Sequence, residues 1–391
     1  MVANAAEFPL GTGLRLEQLE RDPHALLARL REREPVSWVS VLDGWLVTRH
    51  DLALRVMRDV DTFTVDDPRF STAQLVGPSM LSLDGEAHSR HRAPFVGRFR
   101  PSAVRRQFAS AVAEETELLL DALEPGGEAE LRRSFAGPLA ARVVTRALGF
   151  DGSEVKQVLA WYDAIVAGVT GITAGSGVTP AAREAFAALG TRLEQVIDCG
   201  DPWALPATAA TAAELTRTQI VSNSAVVLFG GIETTEGMIA NAVLALLEHP
   251  VELARVREDP GLIGAAIEES LRLEPAAAMI DRYAVADVEL AGTRIAAGEL
   301  VRISISAANR DPAVFCEPDR FDLERANVRR HVAFAHGPHV CVGVHLARLE
   351  ARIALARLLE RLPRLRLDRE RPSAVRGLVF RKPSTLYVAW G

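Results

Sequence analysis

Cysteine is scarce in this 391-residue chain: Cys199, Cys316 and Cys341 are the only three. Three in such a length make no disulfide framework, which excludes the small stapled secreted classes and points to a reducing cytoplasm. Lysine is scarcer still, limited to Lys156 and Lys382 among 45 basic residues; the remainder are arginine, the usage of a GC-rich coding sequence. The first 22 residues lack a basic start followed by an apolar run, so no signal peptide is expected. The apolar run at 219–232 is too short to span a bilayer and ends in Gly-Gly-Ile-Glu. With no block of Lys and Arg and a net charge of -6, nucleic acid is excluded as a partner class. No linker-like stretch or internal repeat divides the chain, so 1–391 is read as one domain.

What is present is 48% hydrophobic residues, enough for a large core. Residues 36–48 alternate around the turn pair Asp43-Gly44 and read as a β-hairpin, followed by a helix near 50–59. Residues 60–84 are irregular, a long loop of the kind that covers a site. From 86 to about 260 the periodicity is helical. Thr211-Ala-Ala-Glu214 reads as a capping box, and no proline follows until Pro250, which allows one long helix. Ser224 to Ile232 is apolar on nearly all sides and belongs inside the protein. A second helix is expected from Gly261 to just before Pro275, short strands over 283–306 with turns at Ala291-Gly292 and Ala297-Gly298, a helix over 343–361, and strands and turns over 364–391.

Residues 334–343 read Phe-Ala-His-Gly-Pro-His-Val-Cys-Val-Gly. Cys341 precedes an amphipathic helix whose apolar stripe is Leu346, Leu349, Ile353 and Ala356. A thiol there feels the positive end of the helix and its free N–H donors, which favour the metal-binding thiolate. Gly337 and Gly343 let the backbone turn tightly against a flat ligand. These residues alone leave open an inert buried cysteine; zinc is disfavoured because His336 and His339 are the only close co-ligands. The segment resembles the haem-binding loop of the cytochrome P450 family, Phe-x-x-Gly-x-His/Arg-x-Cys-x-Gly, matched at Phe334, Gly337, His339, Cys341 and Gly343. It departs at Ala335, where Gly is common, by one methyl group. The resemblance implies a mainly α fold with small β-sheets and a long central helix over haem b, with Cys341 as the iron ligand and Phe334 and Gly343 against the macrocycle. The thiolate in that family pushes electron density to favour O–O cleavage.

Three further segments extend the resemblance over most of the chain. Glu269 and Arg272, at i and i+3, would alone be an ordinary surface ion pair; the resemblance makes them a structural pair completed by Arg320 in Pro318-Asp-Arg-Phe321. Gly230-Gly-Ile-Glu-Thr-Thr235 would alone be a hinge or a close helix crossing. Thr234 can bond the Gly230 carbonyl and bend the helix, and Glu233 needs a partner in apolar surroundings. The resemblance makes these two the catalytic pair, Thr234 hydrogen bonding on the oxygen-binding face and Glu233 assisting proton delivery. His88 and Arg92, at i and i+4, would alone be a solvated basic face; the resemblance makes them haem propionate donors, joined by Arg282 and His339. Pro94 is expected to interrupt or kink their helix.

Substrate contacts implied by the family layout are Phe70, Leu75, Val76 and Met80; Val226, Val227 and Gly230; Ala277, Ala278, Met279 and Ile280; and Leu378 and Val379. Their apolar character points to a hydrophobic small molecule, a natural-product intermediate among the candidates, hydroxylated by default with O2. The chain holds no flavin or iron–sulfur domain, so a ferredoxin and ferredoxin reductase are expected as electron donors. Arg348 and Arg352, with Arg98, Arg100, Arg105 and Arg106, are the candidate docking face. The alternatives are an H2O2-using peroxygenase, against which Glu233-Thr234 argues, a non-catalytic haem or ligand-binding protein on the same scaffold, and a helical scaffold without cofactor.

Overall fold

The computed structural model describes residues 7–173, 177–212 and 214–391. The helices that frame the site are α1 (His50–Arg58), α2 (Gly85–Val96), α3 (Pro101–Leu123), α4 (Gly137–Ala147), α5 (Val155–Thr173), α6 (Pro180–Cys199), α7 (Arg217–Glu248), α8 (Ile263–Leu273) and α9 (Val344–Arg361). One five-stranded sheet stands beside them, built from β1 (Val36–Val39), β2 (Gly44–Val47), β3 (Phe63–Thr64), β4 (Met279–Ala284) and β5 (Leu300–Ser304) in the order β1-β2-β5-β4-β3. The expected hairpin is there: Trp38 faces Trp45 across β1 and β2, their rings edge to face at 5.4 Å, and Asp43 turns the chain with φ 46°. The Ala291-Gly292 turn is also present, both residues with positive φ between strands Val288–Leu290 and Thr293–Ile295. The C-terminal strand Tyr387–Ala389 joins Glu128–Glu130 and Arg366–Leu367 in a small sheet of its own.

Helix α7 runs through the middle of the fold, packed against α4, α6, α8 and α9. Its 32 residues reach about 48 Å at the α-helical rise. The expected cap is corrected. Thr211 ends the preceding helix Leu205–Thr211, and the box forms five residues later, where Thr216 and Gln219 exchange side-chain and backbone hydrogen bonds at 3.3 and 3.0 Å. Both stretches satisfy the same T-x-x-E/Q pattern, and only tertiary packing selects between them. Most of α7 between Ile220 and Leu246 is buried, yet Val226, Val227, Phe229, Gly230, Gly231, Glu233 and Thr234 keep intermediate exposure. These residues stay partly accessible on a helix that is otherwise enclosed. Helix α2 runs through Pro94 to Val96, so the proline does not end it. Among the described residues no helix is long and apolar enough to cross a membrane.

Arg272 and Glu269 are fully buried, which removes the surface-pair alternative. Arg272 Nε and Nη2 donate to both oxygens of Glu269 at 2.8 and 2.7 Å, and its Nη1 donates to the carbonyls of Asn309 and Pro318. The third member is corrected from Arg320 to Arg325. Arg325 Nε donates to Glu269 Oε1 at 2.9 Å and its other nitrogens cap the carbonyls of Cys316, Glu317 and Arg320. The Arg320 side chain is 58% exposed and pairs with Glu317 and Asp322; only its carbonyl meets the network. Breaking a buried ion network from one side costs about 3–5 kcal/mol. Arg325→Ala should therefore lower the unfolding free energy by about 3 kcal/mol or more in urea denaturation, and Arg320→Ala by less than about 0.5 kcal/mol; equal losses would reinstate Arg320.

Candidate active site around Cys341

The loop before α9 is closed by its own backbone. Cys341 N donates to Phe334 O at 2.9 Å, and Val340 N to Gly337 O at 3.1 Å. Gly337 has φ 75°, and a Cβ there would lie 2.7 Å from Met57 O, so the approach of α1 requires glycine at this position. Ala335 has φ 58°. The departure noted in the sequence is thus more than a methyl: a left-handed alanine costs about 1–2 kcal/mol. Cys341 is a free thiol of intermediate exposure. Burial pushes the thiol up, against the N–H of Gly343 and the guanidinium groups of Arg92 and Arg348, which favour thiolate. The helix-end effect read from the sequence is present but outweighed by desolvation; a cation bonded to sulfur would reverse the balance.

Glu268, the neighbour of Glu269 on α8, latches this loop to the core. Arg348 of α9 grips it through Nε and Nη2 at 2.6 and 2.7 Å, His331 Nε2 lies 3.1 Å from its Oε2, and the Arg348 guanidinium stacks over Phe334 at 4.7 Å. Burial would raise the Glu268 carboxyl, but the hydrogen bonds from His331 and Arg348 overcome it and hold the group at about 2.

On the other side of the loop four basic groups gather. Helix α2 carries His88 and Arg92, as the spacing implied. Arg92 Nη2 donates to Val340 O at 2.5 Å, the His88 and His339 rings lie 4.3 Å apart, and His339 Nε2 meets Asp84 Oδ1 at 2.7 Å. Asp84 also accepts from Thr64 and Val65. Burial works to raise its carboxyl, yet these bonds bring it to about 2. Burial and the neighbouring His339 and Arg92 pull His88 down to about 4. Arg282, on β4, is 4% exposed, and burial lowers it to about 10. His88 Nε2 and Arg282 Nε are buried with no hydrogen-bond partner.

On α7, Thr234 Oγ1 donates to Gly230 O at 2.7 Å. The glycine pair divides its roles. A Cβ on Gly231 would come within 2.9 Å of Val144 on α4, whereas one on Gly230 would meet nothing within 4 Å. The close crossing is at Gly231, and open space lies at Gly230. Glu233 has the partner its surroundings demand, and two of them: Lys382 Nζ at 2.8 Å on Oε1 and the Tyr162 hydroxyl on Oε2.

The family model for cytochrome P450 matches residues 261–388. The chain is 32% identical over 405 residues to 20-oxo-5-O-mycaminosyltylactone 23-monooxygenase of Streptomyces fradiae, covering 94% of this chain and 90% of that one. It is 36% identical to the cytochrome P450 monooxygenase PikC of Streptomyces venezuelae, over 89% and 85% of the two chains. The chain belongs to the cytochrome P450 family. Its fold agrees: a crystal structure of a myxobacterial cytochrome P450 in complex with myristic acid superposes with a TM-score of 0.88 at 30% identity, covering 97% of this chain and 99% of that one. The cofactor of this P450 is accordingly haem b, and the enzyme is a monooxygenase.

The residues present fit that group. A free thiol lies on the same side of the loop as Arg282 Nε and His88 Nε2, two buried nitrogens without a hydrogen-bond partner, and a flat dianionic ligand supplies both a metal for the one and carboxylates for the others. The segments expected at the substrate also meet. Ala278 N donates to Val379 O at 2.8 Å, Ala277 bridges Phe380, and the Phe380 ring packs edge-on against Phe229 of α7 at 5.7 Å. Phe229 and Phe380 were not singled out in the sequence, although each adjoins a residue that was. Ile280, Leu378, Val379 and Phe70 are half-buried. Met279 is corrected: strand alternation turns it from the face of Ile280, and it packs with Leu19, Leu27 and Leu46. Ala278, Val76 and Met80 keep under 5% of their surface, and Leu75 and Val76 pack with Tyr162 and Ile165.

The α9 stripe is corrected in part. Leu346 is buried as expected, together with Ala351, Ala354, Leu355 and Leu358, whereas Leu349, Ile353 and Ala356 floor an open groove of about 960 Å³ against α3 and α8. Arg105, Arg329 and Arg352 rim it. Arg98 is committed elsewhere, donating to Thr208 and lying over Trp203.

Glu268 gives a pH test of the loop latch. Because its pKa is depressed from 4.5 to about 2, it contributes about 3 kcal/mol above pH 4.5, a contribution lost as pH falls through 2. Between pH 6 and pH 3 the wild type should lose about 2 kcal/mol more unfolding free energy than Glu268→Gln. Parallel curves would show that the latch carries no charge-dependent stability.

Proposed function

We propose that this P450 hydroxylates an apolar small molecule, a natural-product intermediate, using O2 and two electrons from a ferredoxin served by its reductase, and that it works as a single catalytic unit in a reducing cytoplasm. The observation that carries the reading is the middle of α7, where Glu233 and Thr234 follow an apolar run and open space lies at Gly230. The relative from Streptomyces fradiae is named for oxidation of a mycaminosyltylactone, and the myxobacterial structure holds myristic acid; both support a small-molecule substrate with a large apolar part.

Cys341 Sγ would ligate the iron, and His88, Arg92, Arg282 and His339 would take the propionates. Haem supplies O2 binding and O–O cleavage, with one oxygen atom going to substrate and the other to water. The protein places the substrate and controls protons. Val226, Val227, Phe229, Ile280, Val379 and Phe380 present apolar surface that holds substrate and excludes water. The Thr234 hydroxyl spends its proton on Gly230 O, so its lone pairs are left to accept from water in the cavity. Glu233, the adjacent acid, passes protons to that water. The apolar floor of the α9 groove, rimmed by Arg105, Arg329 and Arg352, suits an acidic ferredoxin whose charge steers it to the cysteine side.

The reduced, CO-bound absorbance spectrum tests the ligand: the wild type should show a thiolate-shifted Soret band and Cys341→Ala should not. A band unchanged by the substitution removes Cys341 as ligand. With a ferredoxin system, Thr234→Ala should still consume reductant while product per reductant falls about 10-fold or more and peroxide is released. Full coupling in that variant would withdraw the proton role, and wild-type turnover by H2O2 matching that with ferredoxin would replace the reading with a peroxygenase.

A further inference from the structure

The deeply buried arginines Arg272, Arg325 and Arg381 each donate to several carboxylate or carbonyl oxygens. Arg282 and Arg302 depart from this: among the described residues, the Nε of each is buried with no hydrogen-bond partner. Arg282 belongs to the propionate corner described above. Arg302 does not. Across β4 and β5, Arg282 pairs with Val301 and Arg302 with Asp281, so strand alternation places the two arginines on opposite faces of the sheet. The Arg302 side chain is 10% exposed. Its Nε lies 3.6 Å from Asp281 Oδ1, beyond hydrogen-bond reach, and its Nη1 meets the Met279 sulfur at 4.0 Å. A thioether is a weak acceptor. Burial pushes the Asp281 carboxyl up, and Arg302 and Arg282 offset this in part, so the pair is an incomplete one.

The setting of this guanidinium is otherwise apolar. Leu46 of β2 is its partner across the sheet, and Met279 of β4 touches it. Leu46 and Met279 pack with Leu19 and Leu27, and the half-buried Leu10, Leu14 and Leu378 lie against that cluster. Leu378 precedes Val379 and Phe380, the segment that meets Ala278 and Phe229. Apolar packing therefore runs without a break from Arg302 to the residues assigned to substrate. Asp281 is 32% exposed, so the charged end of this surface is reached from outside. A cation in such a place costs free energy until an anion meets it.

We propose that Arg302 is a subsite for a carboxylate and that the substrate is an amphiphilic carboxylic acid, its charged end on Arg302 and its apolar remainder along Leu378 toward Val379, Phe380 and Phe229. The proposal rests on the monooxygenase reading above and narrows its substrate class. A guanidinium presents two edges that each suit a carboxylate. Asp281 stands off one of them, at Nε, and the other is left for the ligand. Asp281 also limits the affinity, because its charge competes for the same cation. The haem carboxylates are taken by Arg282 on the other face of the sheet, so the two anion sites are separate.

Calorimetric titration of the haem-loaded enzyme with octanoic, lauric and myristic acids, and with their methyl esters, tests this. The esters keep the chain and lack the charge. The wild type should bind the acids about 10-fold or more tightly than the esters. Arg302→Gln should remove that preference and leave the ester affinity unchanged. Asp281→Asn removes the competing anion, so it should tighten the acids several-fold with no gain for the esters; it decides the question if Arg302→Gln does not fold. Acetate has the charge without the chain and should displace neither. A merely structural arginine would lower the unfolding temperature on substitution and leave the preference in place. Equal affinity for acid and ester in the wild type, binding of neither, a preference that survives Arg302→Gln, an Asp281→Asn variant no tighter for the acids, or displacement by acetate overturns the subsite. A wild-type protein without the thiolate-shifted Soret band would end the monooxygenase reading, while the titration, which needs no turnover, still decides whether Arg302 takes the acid.

Discussion

Two adjacent carboxylates on α8 hold the cysteine side of the molecule in place, each through more than one basic side chain. Glu269, with no exposed surface, is gripped by Arg272 and Arg325, whose remaining nitrogens cap carbonyls across residues 309–320. Glu268 takes Arg348 and His331 and so ties α9 and the loop ahead of Cys341 to the same helix. Buried charge is costly unless every partner is present. That condition makes the segment 309–325 and the cysteine loop parts of one rigid mount, because displacing either strips a buried carboxylate of its partners. A left-handed alanine at 335 and a glycine pressed on α1 at 337 are tolerated within a mount of this stiffness.

The cavity side is built on a different balance. Helix α7 is packed tightly at Gly231 and left open at Gly230 one residue earlier, so the same helix both braces the core and leaves room for reactants. Polar groups on that open face are paired with one another: Thr234 with a helix carbonyl, Glu233 with Lys382 and Tyr162. His88 Nε2 and Arg282 Nε are among the buried polar atoms left without a partner.

Much of this was legible in the chain because it is local. A hairpin turn, a helix after a cysteine loop, an i, i+3 pair and a Gly-Gly-x-Glu-Thr run are fixed by neighbours a few residues apart. The misplacements share one cause. Arg320 and Arg325 are five residues apart on the same meander, and nothing local tells which one reaches Glu269. Thr211 and Thr216 both head valid capping patterns. Leu349, Ile353 and Ala356 have helical spacing as good as that of Ala351, Ala354 and Leu358, and only the position of α3 and α8 determines which face is covered. Two signals were available and not used: Lys382 is one of just two lysines in the chain, and Glu236 is a second acid one turn from Glu233 in an apolar helix.

By itself the sequence determined the class of fold and, through its resemblance, marked Cys341 and the Glu233–Thr234 pair as candidates, since each is written in residue types at short fixed spacing. Tertiary structure alone decided which arginine completes the buried network, which face of α9 is open, and what holds the distal acid. Lys382 lies 149 residues beyond Glu233 and Tyr162 lies 71 before it. Contacts of that separation depend on how whole helices are packed, a property that no local pattern encodes.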